Sequence, residues 1–273
     1  MSDWPIGLST GCFYRESLFD CLETLRNGGF SLVEICSFPR HLDYHDLGKV
    51  EAAARRMDEL GMEAYSFHAP FAEHIDISSL DESARNGALR EILQAAEAAA
   101  RLRVRHLVIH PGPEHAHHPP AEELLHRLRN VVQVLNRVAD RCRELRVNLV
   151  LENKLPHLLF GNAGEMLWIL GEISSLEVGA CLDTGHAFLS DDLHHLLYKL
   201  SGHLKMIHAH DNSGHGDDHL PPGKGKIDWS AFVGELRRTR FPGAVILELA
   251  GGRPAEEILA DARAARLYLR RLP

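Results

Sequence analysis

Nineteen histidines stand in a chain with only five tyrosines. Several of them fall, together with carboxylates, at the ends of short apolar runs. His68 closes the run Phe67-His68-Ala69-Pro70, and His110 closes Ile109-His110-Pro111-Gly112. Glu152 ends a third in Leu151-Glu152-Asn153-Lys154, and Asp183 ends a fourth, with His186 one turn on in Asp183-Thr184-Gly185-His186. His208 and His210 share the segment Met206–Asn212, Asp217 and His219 follow in the next loop, and Glu248 ends the last run. Imidazole and carboxylate together suit Zn, Mn or Fe. Four carboxylates packed without a cation repel, and some would have to stay protonated. Two divalent ions neutralise the four, whereas three leave a surplus of positive charge for an anionic substrate. Counting one of His208 and His210, the set is too large for one ion and matches two or three.

These residues come from distant parts of the chain, so the fold must converge them. Eight apolar runs rich in Val, Ile and Leu read as strands: 6–10, 32–36, 63–68, 106–110, 148–152, 178–183, 205–208 and 244–248. Amphipathic segments lie between them, among them 51–60, 82–102, 121–145, 163–173 and 229–239, and a last helix follows at about 255–269. Gly28-Gly29 and Gly61 stand just past helical runs, where left-handed caps are expected. Strands alternating with helices imply a parallel sheet. Eight such units, with no G-x-G-x-x-G opening a helix, predict a single α/β domain over residues 1–273: a (β/α)8 TIM barrel. In that fold the active site lies at the C-terminal strand ends, where the candidate residues stand.

Composition sets the bounds. The 273 residues are 45% hydrophobic and 25% charged, which excludes disorder, collagen-like repeats and a disulfide scaffold. The net charge of −8 argues against a general polyanion binder. No apolar stretch is long enough for a membrane span, and no signal peptide is visible. Five scattered cysteines without a C-x-x-C fit a reducing, cytoplasmic setting. The bland readings matter too. His41, His45, His115, His117, His118, His194 and His195 are expected to be solvated. The turn Pro222-Gly223-Lys224-Gly225-Lys226 follows strand seven, where barrels often bind phosphate, and a plain flexible turn is the competing reading. Lys154 and Lys224 are candidate substrate contacts.

The same motifs resemble those of the xylose isomerase-like TIM-barrel superfamily: HAP at 68–70, HPG at 110–112, LEN at 151–153, DTGHA at 183–187, H-x-x-D at 208–211, D-x-H at 217–219 and Glu248. That superfamily includes endonuclease IV (apurinic-site endonuclease family 2) and sugar isomerases and epimerases. The likeness to endonuclease IV implies a trinuclear zinc cluster held by His68, His110, Glu152, Asp183, His186, His208, Asp217, His219 and Glu248, with Mn or Fe as other ions. The H-x-x-D pattern selects His208 over His210. Arg40 and Phe71 sit in loops equivalent to the side chains that such enzymes wedge into DNA, and lining a small-molecule pocket is the alternative. The likeness to epimerases implies one ion on Glu152, Asp183, His208 and Glu248, with the two glutamates shuttling a proton. Ketose epimerases of the tagatose type carry a further Glu where Leu158 stands, and an Arg where His219 stands.

Two mechanisms follow. The full nine-residue set favours phosphoester hydrolysis on two or three ions, with Glu152 and Glu248 in the catalytic centre. The alternative is metal-dependent isomerisation or epimerisation of a sugar or sugar phosphate. A small phosphorylated or sugar-like substrate is expected rather than DNA, with no membrane partner, in a monomer or homodimer.

Overall fold

The computed structural model describes residues 4–114, 117–191 and 193–273, so His115 lies outside the described residues. Eight strands run in chain order: β1 (Ile6–Ser9), β2 (Leu32–Cys36), β3 (Glu63–His68), β4 (His106–Ile109), β5 (Asn148–Glu152), β6 (Gly179–Asp183), β7 (Leu204–Ala209) and β8 (Ala244–Leu247). Each pairs in parallel with its neighbours, and β1 also pairs with β8, so the sheet closes into a barrel. The helices are α1 (Leu18–Asn27), α2 (Leu47–Glu59), α3 (Glu82–Leu102), α4 (Ala121–Leu145), α5 (Ala163–Glu172), α6 (Thr184–Leu189), α7 (Leu193–Leu200), α8 (Trp229–Arg238) and α9 (Ala255–Arg271). The chain is a single (β/α)8 TIM barrel. Among the described residues, no helix is long and apolar enough to cross a membrane.

Sequence chemistry sets the boundaries. Side-chain oxygens of Ser17, Asp46, Asp81, Asn162 and Asp228 accept backbone N–H groups at the starts of α1, α2, α3, α5 and α8. Gly29 and Gly61 take the left-handed backbone expected after helices (φ +85° and +61°), whereas Gly28 stays right-handed. β1 ends one residue early because Thr10 opens a 3₁₀ turn, Thr10–Phe13. His110 and Glu248 stand just past the ends of β4 and β8.

Two packed regions result. The larger fills the space between barrel and helices. The smaller fills the barrel itself with Tyr65, Val108, Val150, Cys181, Met206, Ala244 and Ile246. Because successive strand side chains alternate in direction, a step of two residues up the same inward face converts this core into chemistry. Val108 leads to His110, Val150 to Glu152, Cys181 to Asp183, Met206 to His208 and Ile246 to Glu248.

Candidate metal centre

The barrel brings all nine predicted residues to its C-terminal mouth, and adds His210 to them. Among the described residues four groups form in which one potential ligand atom from each residue lies within 4.8 Å of the others; one of them, Glu152, Cys181 and His208, shares two residues with the second group below. His68, His110 and Glu152 make the first; Glu152, Asp183, His208 and Glu248 the second; His186, His210, Asp217 and His219 the third. Glu152 joins the first two: its Oε2 is 3.2 Å from His68 Nε2 and 3.5 Å from His110 Nε2, and its Oε1 is 3.2 Å from His208 Nδ1. His208 Nδ1 also stands 3.6 Å from Glu248 Oε1. In the third group Asp217 Oδ2 is 3.4 Å from His186 Nε2 and 3.2 Å from His219 Nε2.

The rings decide whether these residues fit a metal. A neutral imidazole carries one N–H, and each of five rings has an acceptor on its outer side to take it. His68 Nδ1 donates to the Ala69 carbonyl (2.9 Å), His110 Nδ1 to Glu114 (2.7 Å), His186 Nδ1 to the Asn153 carbonyl (3.0 Å) and His219 Nδ1 to the Glu248 carbonyl (3.2 Å). His208 is reversed: its Nε2 donates to Glu34 Oε2 (3.0 Å). The inner nitrogens are then lone pairs facing carboxylate oxygens at 3.2–3.6 Å. Two acceptors at that distance need a cation between them. Outer acceptors that fix the tautomer and aim the ring are the usual support of metal-binding histidines. His208 Nδ1 is buried with no hydrogen-bond partner among the described residues. The donor set therefore fits a divalent ion such as Zn, Mn or Fe.

Without an ion, protons take that place. Burial opposes charge on His68, but Glu152 outweighs it and raises the ring to about 9. Burial likewise opposes charge on His186, which Asp183 and Asp217 raise to about 10, and on His219, which Asp217 raises to about 9. The carboxylates divide. Burial pushes Glu248 up, and nearby Glu152 adds to it, although His208 opposes both. Burial pushes Glu152 the same way, yet His208 and His110 hold it well below the usual range.

Three supporting residues escaped the sequence reading. Glu34, fully buried on β2, accepts from Ser9, from Ser66 and from His208. Its signal was an acidic residue in the apolar run Leu32–Cys36. Glu114 holds His110 from the loop after β4 and takes Lys154 Nζ as well. Asn153 fixes Asp183, accepting its N–H (2.8 Å) and donating to its carbonyl (3.1 Å), while Asp183 Oδ1 caps α6 by accepting the His186 N–H (2.7 Å).

The candidate substrate contacts separate. A cavity of about 310 Å³ opens above the carboxylates, and Phe71 and Lys154 line it. Phe71 packs on His110 and His68 (ring centroids 4.9 and 5.1 Å) and on Phe38 (6.0 Å); with Leu155, Leu158 and Leu249 it makes an apolar wall. Lys154 is the single Lys or Arg among the lining residues described, and it is engaged by Glu114 and by the Gly112 (3.1 Å) and Pro113 (2.6 Å) carbonyls. Arg40 and Lys224 are exposed and do not line the cavity. The turn that carries Lys224 is organised by a buried side chain. Asp211 accepts the N–H groups of Gly223 (3.0 Å) and Ile227 (3.1 Å) and the indole N–H of Trp229 (2.8 Å). His45, His117, His118, His194 and His195 are exposed as expected. His41 is not: it is buried, with Nδ1 bonded to the Glu16 carbonyl (2.8 Å), because the loop after β2 folds back over α1.

Known proteins place this arrangement. The chain is 26% identical over 245 residues to a ketose 3-epimerase of Arthrobacter globiformis, covering 88% of this chain and 80% of the relative. It is 27% identical over 205 residues to a probable endonuclease 4 of Nitratidesulfovibrio vulgaris, covering 67% and 69%. Among solved structures, a D-tagatose 3-epimerase-like protein superposes with a TM-score of 0.83 at 23% identity, over 97% of this chain and 98% of that one. The profile of the xylose isomerase-like TIM barrel matches residues 22–272, so this chain belongs to that family.

Proposed function

We propose that this chain is a divalent-metal-dependent isomerase or epimerase of a small unphosphorylated sugar. The hydrolase reading, favoured by the ligand count alone, becomes the second one. The observation that carries the proposal is the placement of Glu152 and Glu248. From the ends of β5 and β8, they bring carboxylates to within 3.2 and 3.6 Å of one His208 nitrogen, on the floor of a cavity with an apolar wall and, among the described lining residues, no free Lys or Arg. The epimerase relative and the epimerase-like neighbour support the same reading.

The chemistry follows from this placement. Isomerisation next to a carbonyl needs one group to take a proton from carbon and another to return it. Glu152 and Glu248, both brought within 3.6 Å of His208 Nδ1, suit the pair that takes and returns the proton. Glu152, Asp183, His208 and Glu248 would hold the ion, which would polarise the carbonyl oxygen when bound. Phe38 and Phe71 exclude water from one side and offer faces to the C–H groups of a sugar. Leu158, at the position where tagatose-type epimerases carry Glu, lines the cavity and gives the substrate no polar contact. The substrate is therefore expected to differ from theirs.

The test is incubation with free ketoses and keto-sugars in D₂O with Mn²⁺ or Co²⁺, followed by NMR. Deuterium entering the carbon next to the carbonyl is the expected result. No exchange with any sugar, alongside cleavage of phosphodiesters or abasic DNA, would overturn it. One observation favours that second reading: the outer group of His186, Asp217 and His219 exceeds what a one-ion isomerase requires. Two or three ions per chain together with phosphodiesterase activity would support it.

A further inference from the structure

Six rings crowd the mouth of the barrel, and His210 differs from the other five. They each have an acceptor on the side away from Glu152, Asp183, Asp217 and Glu248; His210 Nδ1 is buried with no hydrogen-bond partner among the described residues. Its Nε2 faces inward, 3.0 Å from both oxygens of Asp183 and 3.8 Å from Asp217 Oδ1. Position alone would count it with His186, Asp217 and His219 as a ligand. We propose instead that His210 is a positioning residue, which keeps its proton on Nε2, donates it to Asp183 and binds no ion. The proposal rests on the metal-dependent reading above.

The argument is one of tautomers. A ring that binds an ion through Nε2 must carry its proton on Nδ1. In His210 that N–H would be fully buried and unpaired, a state that folded proteins almost never keep, whereas a bare lone pair in the same place is better tolerated. The other tautomer sends Nε2–H to the nearest strong acceptor, the carboxylate of Asp183. Metal-binding carboxylates are commonly held by such donors.

The seat is built for this ring. The Thr184 hydroxyl donates to the His210 carbonyl (2.7 Å) and accepts the His210 N–H (3.1 Å). Gly185 leaves the space: a Cβ there would lie 2.0 Å from the ring's Cε1. The ring also stacks on His219 at 3.9 Å and 11°, so it supports a second residue of the centre. His210 has no exposed surface and does not line the cavity, so it acts through Asp183 and His219 rather than on substrate.

The test loads wild type, His210→Gln, His210→Leu and His208→Gln with Co²⁺ and reads ions per chain and the visible spectrum. Gln keeps an N–H donor near the position of Nε2 but is a poor ligand. His210→Gln is expected to keep the wild-type count and spectrum, while His208→Gln loses one ion per chain. His210→Leu is expected to weaken Co²⁺ about 10- to 100-fold against a competing chelator, with His210→Gln restoring most of it. A His210→Gln chain that loses an ion, or whose spectrum shows one nitrogen fewer, overturns the assignment of His210 alone. A wild-type chain that takes up no Co²⁺ overturns the metal-dependent reading and this proposal together.

Discussion

The two ends of the barrel use the same side chain in opposite states. At the C-terminal mouth, histidines face carboxylates and are raised to about 9 or 10 in the ion-free protein. At the N-terminal end, His106 is just as hidden but packs against Tyr65 (ring centroids 5.0 Å), with its Nδ1 unpartnered among the described residues. Burial lowers it to about 4, helped by Lys205 and Arg105. Burial opposes charge at both ends, so the carboxylates make the difference. The bottom is closed by neutral bonds as well, since the Tyr65 hydroxyl donates to the Lys205 carbonyl (3.3 Å) and accepts the Ala244 N–H (3.1 Å). One end is a sealed plug, and the other keeps a cation demand open to ligands.

Breaking the mouth should cost most. Glu248→Gln is expected to lower carbon–deuterium exchange about 10²- to 10⁴-fold, the usual worth of a general acid–base group. Its thermal midpoint should stay near that of the wild type, and a variant with wild-type exchange would remove Glu248 from the proton pathway. The plug should answer to pH instead. His106 binds fewer protons folded than unfolded between about pH 4 and 6.5, so it stabilises the fold above that window and the contribution is lost as pH falls through it. The difference is at most about 3 kcal/mol at 1.36 kcal/mol per unit. A urea-unfolding series should show this slope in the wild type and a flatter one in His106→Phe; equal slopes would contradict the assignment. The mouth has the opposite sign. Its raised rings stabilise the ion-free protein below about pH 6.5, and that is lost as pH rises through about 9 to 10. Loading a divalent ion at pH 7 should therefore release protons, seen as buffer-dependent heat in calorimetry.

Smaller effects sharpen the contrast. Tyr65→Phe leaves the Ala244 N–H without its acceptor and should cost about 1–3 kcal/mol of stability while leaving metal content unchanged. Lys224→Ala should change kcat/KM less than about twofold, an exposed surface change worth at most about 0.5 kcal/mol in stability. A tenfold loss there would show that the turn reaches the substrate after all.

Much of this was legible because strand ends are short and chemically abrupt. Val150 to Glu152 and Ile246 to Glu248 change from apolar to acidic within two residues on one inward face, which sequence displays directly. Glu34 was harder, since a single acid inside Leu-Val-Glu-Ile-Cys has no partner nearby in the chain: Ser66 meets it through β2–β3 pairing and His208 only across the barrel. Lys154 reads from its place after Glu152 as a candidate substrate contact. Its engagement by Gly112, Pro113 and Glu114 depends on how the loop after β4 folds over. His41 failed for the same reason, because a polar ring in a loop reads as solvated until the loop packs. The H-x-x-D resemblance already selects His208 over His210, but the outer acceptor that sets the two rings apart is encoded by no spacing.

The vacancy at Gly185 has a further consequence. A Cβ and the His210 ring cannot share that space, so the two positions are mutually exclusive alternatives rather than independent choices. Gly185→Ala alone should be severely disruptive, while Gly185→Ala with His210→Ala should recover part of the loss, a non-additivity measurable in a double-mutant cycle. A barrel with any larger residue between the corresponding threonine and histidine must orient its strand-six aspartate by other means. A single glycine, silent in any scan for ligands, thus records which of two designs the mouth has adopted.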